Sequence, residues 1–306
     1  MSTKHKMIFF GAGASFGSEF INKTPPIGED LFEALAIYDK NGWGSIPNEL
    51  VKDFIPDFES GMVKYGNIYR RQVAKLQRAM ACYFFNFEPG PLNLYRELAK
   101  RIINAQWSGN ISTVNYDQLL QRSFTVEGFD LATDGLGFKF KKTEVEIKLI
   151  LPHGSCNLFI DSIKSPGHIV FNYHCLEANG NIKMIRDYNE FKIEIINKIP
   201  PVMCYYEPIK SVTAGREFIE EQKKRFEEKT NEADIICIIG ARVNQNDKYI
   251  WGPLAKTEGR LFYCSGVEAG EEFEEWKRYN RKSINDKIIK KNFDEGFKEI
   301  CGALEI

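Results

Sequence analysis

The stretch Phe9-Phe10-Gly11-Ala12-Gly13-Ala14-Ser15, entered through Met7 and Ile8, decides how this chain is read. Large apolar residues that stop abruptly at two glycines are the pattern of a buried strand turning into a helix, so residues 7–10 are expected to form a first, buried strand. Glycine there lets the backbone approach a pyrophosphate, and the unpaired N–H groups of the helix start favour an anion. The same turn also needs glycine for steric reasons alone, so the motif by itself leaves both readings open. The ordinary dehydrogenase fingerprint would add glycine at position 16 and a carboxylate closing a second strand about 20 residues on. Position 16 is Phe16, Gly17 follows, and Glu29 and Asp30 open an apparent helix. Hydride transfer is thereby disfavoured.

Outward from the turn, Thr24-Pro25-Pro26-Ile27-Gly28 makes a loop above it, and helical periodicity follows over residues 28–39, 47–59 and 66–87. Pro91 marks a further helix start, with Leu92, Leu94, Tyr95, Leu98 and Ile102 on one apolar face. Residues 110–114 read as the next strand, running into the polar end of Ser112-Thr113-Val114-Asn115-Tyr116-Asp117. Residues 145–151 read as a strong strand ending at Pro152-His153-Gly154-Ser155, and segments near 156–160, 168–172 and 202–205 as further strands. Helices are expected over 187–197, 215–232 and 246–255, a fully apolar strand over 234–239, and the last core strand over 260–264, before two C-terminal helices. Strands alternating with helices, several ending in glycine or polar residues, predict an α/β protein with a doubly wound, mostly parallel Rossmann-like sheet and a helical insertion at about 30–105. Residues 1–270 are read as the main domain and 271–306 as helices packed on it.

Composition narrows the function classes. The 306 residues carry 41 basic and 42 acidic side chains, a net charge of −1, so no field recommends nucleic acid or an anionic membrane as partner. The apolar run after the charged N-terminus is far too short for a signal peptide or a membrane span, and the protein is read as cytoplasmic. Seven cysteines lack any C-x-x-C spacing, so neither a zinc ribbon nor a disulfide framework is indicated and no metal is expected. Cys237, within Ile235-Ile236-Cys237-Ile238-Ile239, reads as a small buried hydrophobe. Phe84, Phe85 and Phe87 with Tyr83 read as core packing, the charged run 217–229 as a solvated helix face, and Lys287, Lys290 and Lys291 as too small a cluster for nucleic acid.

The succession Gly11-Ala12-Gly13-Ala14-Ser15, Thr113-Val114-Asn115-Tyr116-Asp117, His153-Gly154-Ser155 and Ile239-Gly240, in that order and at strand ends, resembles the sirtuin-like family, particularly its prokaryotic NAD-hydrolysing antiviral branch. The likeness spans roughly residues 6–270, and residues 244–254 are similar to a segment following the late strand of that branch. The resemblance implies a doubly wound NAD-binding domain and cleavage of the bond between nicotinamide and ribose, a reaction passing through a ribosyl cation-like state. It implies that Gly11, Ala12, Gly13 and Ser15 cradle the pyrophosphate, that Asn115 bonds the nicotinamide ribose or orients water, and that Asp117 contacts the carboxamide. His153 would be the general base, since imidazole titrates near neutral pH. Gly240, Ala241 and Arg242 would lie near the adenosine ribose, and Ser265 and Gly266 at the adenine end. A helix-terminal carboxylate is the structural alternative for Asp117, and a satisfied strand-end histidine for His153.

Two departures from the family pattern weigh on specificity. Deacylating sirtuins carry a four-cysteine zinc ribbon with no equivalent here, and where they have Ile-Pro-Asp-Phe-Arg this chain offers Pro25-Pro26-Ile27-Gly28-Glu29-Asp30 without arginine. The leading expectation is therefore an NAD glycohydrolase acting in antiviral defence by NAD depletion, working as a homo-oligomer or with a separate sensor or activator. The alternatives are ADP-ribosyl transfer, protein deacylation, or a non-catalytic NAD or ADP-ribose sensor.

Overall fold

Strand β1 (Lys6–Phe10) is buried along its whole length, as a strand covered on both faces must be, and the rest of the protein is organised around it. The structure is a computed structural model and describes residues 5–55, 58–136, 147–163, 169–172, 175–196, 199–204, 214–282 and 285–306. After β1 come α1 (Ala12–Phe16), α2 (Glu29–Tyr38), α3 (Asn48–Phe54), α4 (Phe58–Tyr69), α5 (Val73–Phe85) and α6 (Leu94–Asn104). The chain returns to the sheet as β2 (Gly109–Thr113), crosses through α7 (Leu119–Val126) and enters β3 (Ile147–Ile150). Next come β4 (Leu158–Ile163), β5 (Ile169–Asn172), β6 (Cys175–Ala178), β7 (Gly180–Met184) and α8 (Tyr188–Ile195). The last part is α9 (Arg216–Glu232), β8 (Ile235–Ile239), α10 (Lys248–Lys256), β9 (Arg260–Ser265), α11 (Val267–Asn280), β10 (Lys287–Lys290) and α12 (Phe293–Leu304).

Six strands form one parallel sheet in the order β10-β9-β8-β1-β2-β3. Phe10 is in register with Thr113 on one side and Ile239 on the other, which brings the ends of β1, β2 and β8 level. From β1 the chain winds outward through β2 and β3, then returns to the opposite side of β1 as β8. The winding reverses between β1 and β8, where an open sheet of this kind forms its ligand crevice beyond the carboxyl ends. The expected doubly wound, mostly parallel α/β fold is what the chain adopts. β4 pairs antiparallel with β7 and β5 with β6, outside the main sheet.

Several boundaries differ from the expectation. The strand 260–264 is not the last of the sheet, because β10 adds beyond it in the register Lys287↔Phe262. The periodic stretch 66–87 is two helices separated by a 3₁₀ turn at Arg70–Gln72. α6 starts from the Asn93 cap, whose side chain accepts the Tyr95 N–H at 2.9 Å, rather than at Pro91. Leu92 consequently falls outside the helix and is exposed, while Tyr95, Leu98 and Ile102 are buried.

Helices α2 to α5 close over the carboxyl end of the sheet around an aromatic nucleus. Phe32 stacks on Phe54 at 4.7 Å, Trp43 stacks on Phe58 at 5.5 Å, and the Trp43 indole donates to the Leu76 carbonyl at 3.1 Å. Phe84, Phe85 and Phe87 are buried in the same core, and Cys237 is buried in β8, where desolvation raises its thiol pKa. At the other edge, Arg281 donates to the carbonyls of Thr257 and Gly259 and pairs with buried Asp286, which fastens the turn between α11 and β10. Among the described residues no helix is long and apolar enough to cross a membrane.

Candidate functional site

The glycine turn is set by close packing against the loop after β8. Gly11 N–H donates to the Ile239 carbonyl at 2.9 Å and Gly13 N–H to the Gly240 carbonyl at 2.8 Å. A Cβ on Gly11 would lie 2.5 Å from Ala241 Cα, and one on Gly240, whose φ is +62°, would lie 2.0 Å from the Ala14 nitrogen. Glycine is required here because two backbones touch. With the Ala14 N–H donating to the Gly11 carbonyl at 3.0 Å, three amides of the stretch are thus spent within the protein, and Gly11 and Ala12 are the turn residues on the cavity wall.

Asn115 follows β2, its N–H donating to Thr113 Oγ1 at 3.1 Å, and its side chain reaches across to the turn. Nδ2 donates to the Gly11 carbonyl at 3.0 Å and to Ser15 Oγ at 2.9 Å. A carbonyl oxygen can only accept, so the amide orientation is fixed with nitrogen toward Gly11. Asn115 Oδ1 then has no hydrogen-bond partner among the described residues, although the residue is only 7% exposed. A buried acceptor left open is costly and calls for an outside donor.

Ser15 is fully enclosed: its hydroxyl donates to Asp117 Oδ1 at 3.2 Å and also contacts the Tyr95 hydroxyl at 3.2 Å. Asp117 Oδ1 in addition accepts the Leu119 N–H at 2.9 Å, so the carboxylate serves the start of α7 as well as the cavity wall. Burial raises its pKa to about 6, and the bonds from Leu119 and Ser15 offset part of that effect.

His153 stands in the turn that ends β3. Gly154 takes a φ of +74°, and a Cβ there would lie 2.0 Å from the Val202 carbonyl oxygen, so the turn is pressed against residues 202–204. The His153 carbonyl accepts the Cys204 N–H at 2.9 Å, which fixes the backbone from which the ring projects. His153 Nε2 is 2.7 Å from Asp247 Oδ2, with both side chains less than a tenth exposed.

These groups share one cavity of about 650 Å³ beyond the ends of β1, β2 and β8, a size typical of a small-molecule site. Gly11, Ala12, Asn115, Asp117, His153, Ala241 and Arg242 line it, and residues 25–28 lie along its edge. Leu31, Phe58 and Phe84 make its apolar wall toward the helices. Gly13, Ser15 and Gly240 stand behind the lining and hold the turn in shape. Arg242 is exposed and forms an ion pair with Glu272, Nε to Oε2 at 2.8 Å. Ser265 and Gly266 end β9 and start α11, outside the cavity lining. His168 and His174 lie outside the described residues. Asp247 is the polar residue that sequence reading missed: it sits within residues 244–254, but its partner is 94 positions away and no local pattern joins them. No group of three or more metal-ligating side chains occurs among the described residues.

Neither a protein-family model nor a curated protein matches the sequence. Among solved structures, the chain is similar to a mutant Sir2 homologue in complex with ADP ribose, at 12% identity and a TM-score of 0.49 over 99% of this chain and 92% of that one. A Sir2 structure described as a basis for mechanism and regulation gives 15% identity and a TM-score of 0.48, covering 99% and 93%. A Sir2 structure bound to acetylated peptide gives 12% and 0.47, covering 97% and 92%. At this level the likeness assigns no residue a role, and the reading of the site stands on its own geometry.

Proposed function

We propose that the protein hydrolyses NAD at the bond between nicotinamide and ribose, releasing nicotinamide and ADP-ribose. The observation that carries this reading is the meeting, in one cavity at the reversal of the sheet, of an open buried acceptor on Asn115 and the imidazole of His153. A ribose offers hydroxyl donors to such an acceptor, whereas a phosphate or carbonyl oxygen does not.

In the proposed reaction the bond from ribose C1′ to the pyridinium nitrogen breaks, and its electron pair neutralises the ring. Positive charge develops on the sugar, and water adds at C1′ as a proton passes to His153. Asn115 Oδ1 fixes the sugar through a hydroxyl, and Asp117, ionised above its pKa of about 6, accepts from the carboxamide of the leaving ring. Gly11 and Ala12 would face the diphosphate, with Gly13 and Ser15 shaping the turn behind them. Ala241 and Arg242 would lie toward the adenosine ribose, next to Gly240, and Ser265 and Gly266 at the adenine end. The order of the sequence motifs supports extending the reading to a cytoplasmic effector of prokaryotic antiviral defence, which depletes NAD as a homo-oligomer or under the control of a separate sensor.

The test is purified protein incubated with NAD, following nicotinamide and the fate of ADP-ribose by chromatography. Free ADP-ribose in equal amount to nicotinamide is expected. ADP-ribose appearing only on an added acceptor would establish transfer in place of hydrolysis, and unchanged NAD at high protein concentration, both alone and with candidate partner proteins, would remove the enzymatic reading. Asn115→Ala and His153→Ala are each expected to lower turnover by at least about 100-fold with the fold intact. Near-wild-type turnover in either variant would remove that residue from the mechanism.

A further inference from the structure

Asp247 is the N-cap residue of α10, and aspartate at that position ordinarily turns its carboxylate onto the first helical amides. Here the backbone serves two of the first-turn amides. The Asp247 carbonyl accepts from Ile250 at 3.1 Å and Trp251 at 3.0 Å, and its N–H donates to the Asn244 carbonyl at 3.0 Å, while the carboxylate makes no capping hydrogen bond. The forgone cap is a recurrent stabilising contact, and the carboxylate is also taken almost wholly out of water. Both features accompany a contact with the His153 ring, whose Nε2 lies 2.7 Å from Oδ2. The contact reaches from the loop after β8 to the turn after β3, across the two intervening strands β1 and β2.

We propose that Asp247 is a positioning residue for His153, an inference that rests on the reading of His153 as the base. A carboxylate against Nε2 selects the tautomer with the proton on that nitrogen, and leaves the Nδ1 lone pair as the one that takes a proton from water or a ribose hydroxyl. The carboxylate oxygen sits at contact distance but off the axis of the ring N–H, so the ring must turn before a linear bond forms. Such hydrogen bonds tighten when a catalytic site fills. Because the loop carrying Asp247 also supplies Ala241 and Arg242 to the cavity wall, a ligand that moves this loop also adjusts the base.

The test compares the wild-type protein with Asp247→Asn and Asp247→Glu by two readouts. The first is the ring-nitrogen NMR spectrum without ligand, recorded where the ring signals no longer change with rising pH, with His153 resonances assigned by their loss in His153→Gln. The second is steady-state nicotinamide release from NAD. Expected are an Nε2–H tautomer in the wild type and a shift toward Nδ1–H in Asp247→Asn, whose amide can donate to Nε2. With it go a fall in kcat of about 100-fold at a KM within about twofold, and partial recovery in Asp247→Glu. An Nδ1–H tautomer in the wild type, or ring signals and kcat unmoved by Asp247→Asn, would overturn the proposal. A wild-type Nε2–H tautomer that moves in Asp247→Asn, in a protein that releases no nicotinamide, would keep Asp247 as the orienting group and overturn the proposed reaction instead.

Discussion

Replacing Asp117 by asparagine should make the protein more stable at neutral pH while damaging the site. Burial holds the Asp117 carboxyl at a pKa of about 6 in the fold, against an ordinary 3.8. A carboxyl whose pKa is raised by folding favours the fold fully below pH 3.8, and that contribution is lost as pH rises through about 6. At ~1.4 kcal/mol for each pH unit, the ionised side chain costs the native state about 3 kcal/mol at pH 7. Asparagine keeps an oxygen to accept from Leu119 N–H and Ser15 Oγ, so the charge is removed without orphaning either donor. With an unfolding entropy of about 0.6 kcal/mol/K for a chain of this length, the gain corresponds to a rise in Tm of about 5 °C. The assay is thermal unfolding of both proteins in steps from pH 4 to pH 8, read as the difference between them so that other titrating groups cancel. The difference should be near zero at pH 4, open between pH 4 and 6, and level off above. A gap of constant size, or a variant less stable than wild type at pH 7, would refute the burial argument.

Further outcomes follow from the same geometry. Gly240→Ala should cost about 2–4 kcal/mol in urea unfolding, because it adds a clash with Ala14 to a positive φ; Gly128→Ala, also at positive φ but with nothing within 4 Å, should cost only about 1 kcal/mol. Equal losses in the two would mean that the turn yields to its neighbour. Arg281→Met should destabilise by about 3 kcal/mol by taking from buried Asp286 the nearer of its two cations, leaving Lys277 at 3.5 Å and the Leu261 N–H, and adding Asp286→Asn should recover part of it. Failure of the double variant to recover stability would place the loss in the carbonyls of Leu254, Thr257 and Gly259, all of which accept from the Arg281 guanidinium.

What could be read from the sequence was what depends on neighbours along the chain. β1 and β8 are central, buried on both faces, and so are written as unbroken apolar runs ending in glycine. β10 is four residues long with lysine at both ends, and at an edge strand such residues remain solvated, so Lys287 and Lys290 read as a charge cluster. The break at Arg70–Gln72 leaves no proline or glycine behind, and the periodicity runs through it. At the site, glycine turns and strand ends marked Gly11, Asn115 and His153. The roles of their neighbours depended on contacts made only by folding. Ser15 and Asp117 are 102 positions apart and meet as the network behind the cavity wall, and His153 meets Asp247 across half the sheet.

The most direct measurement is a crystal structure of the protein with ADP-ribose. The ligand is expected in the cavity beyond β1 and β8, with a ribose hydroxyl donating to Asn115 Oδ1 and the same sugar within reach of the His153 ring. Density for ADP-ribose elsewhere, or a ligand in the cavity whose sugar leaves Asn115 Oδ1 still unpartnered, would contradict that expectation.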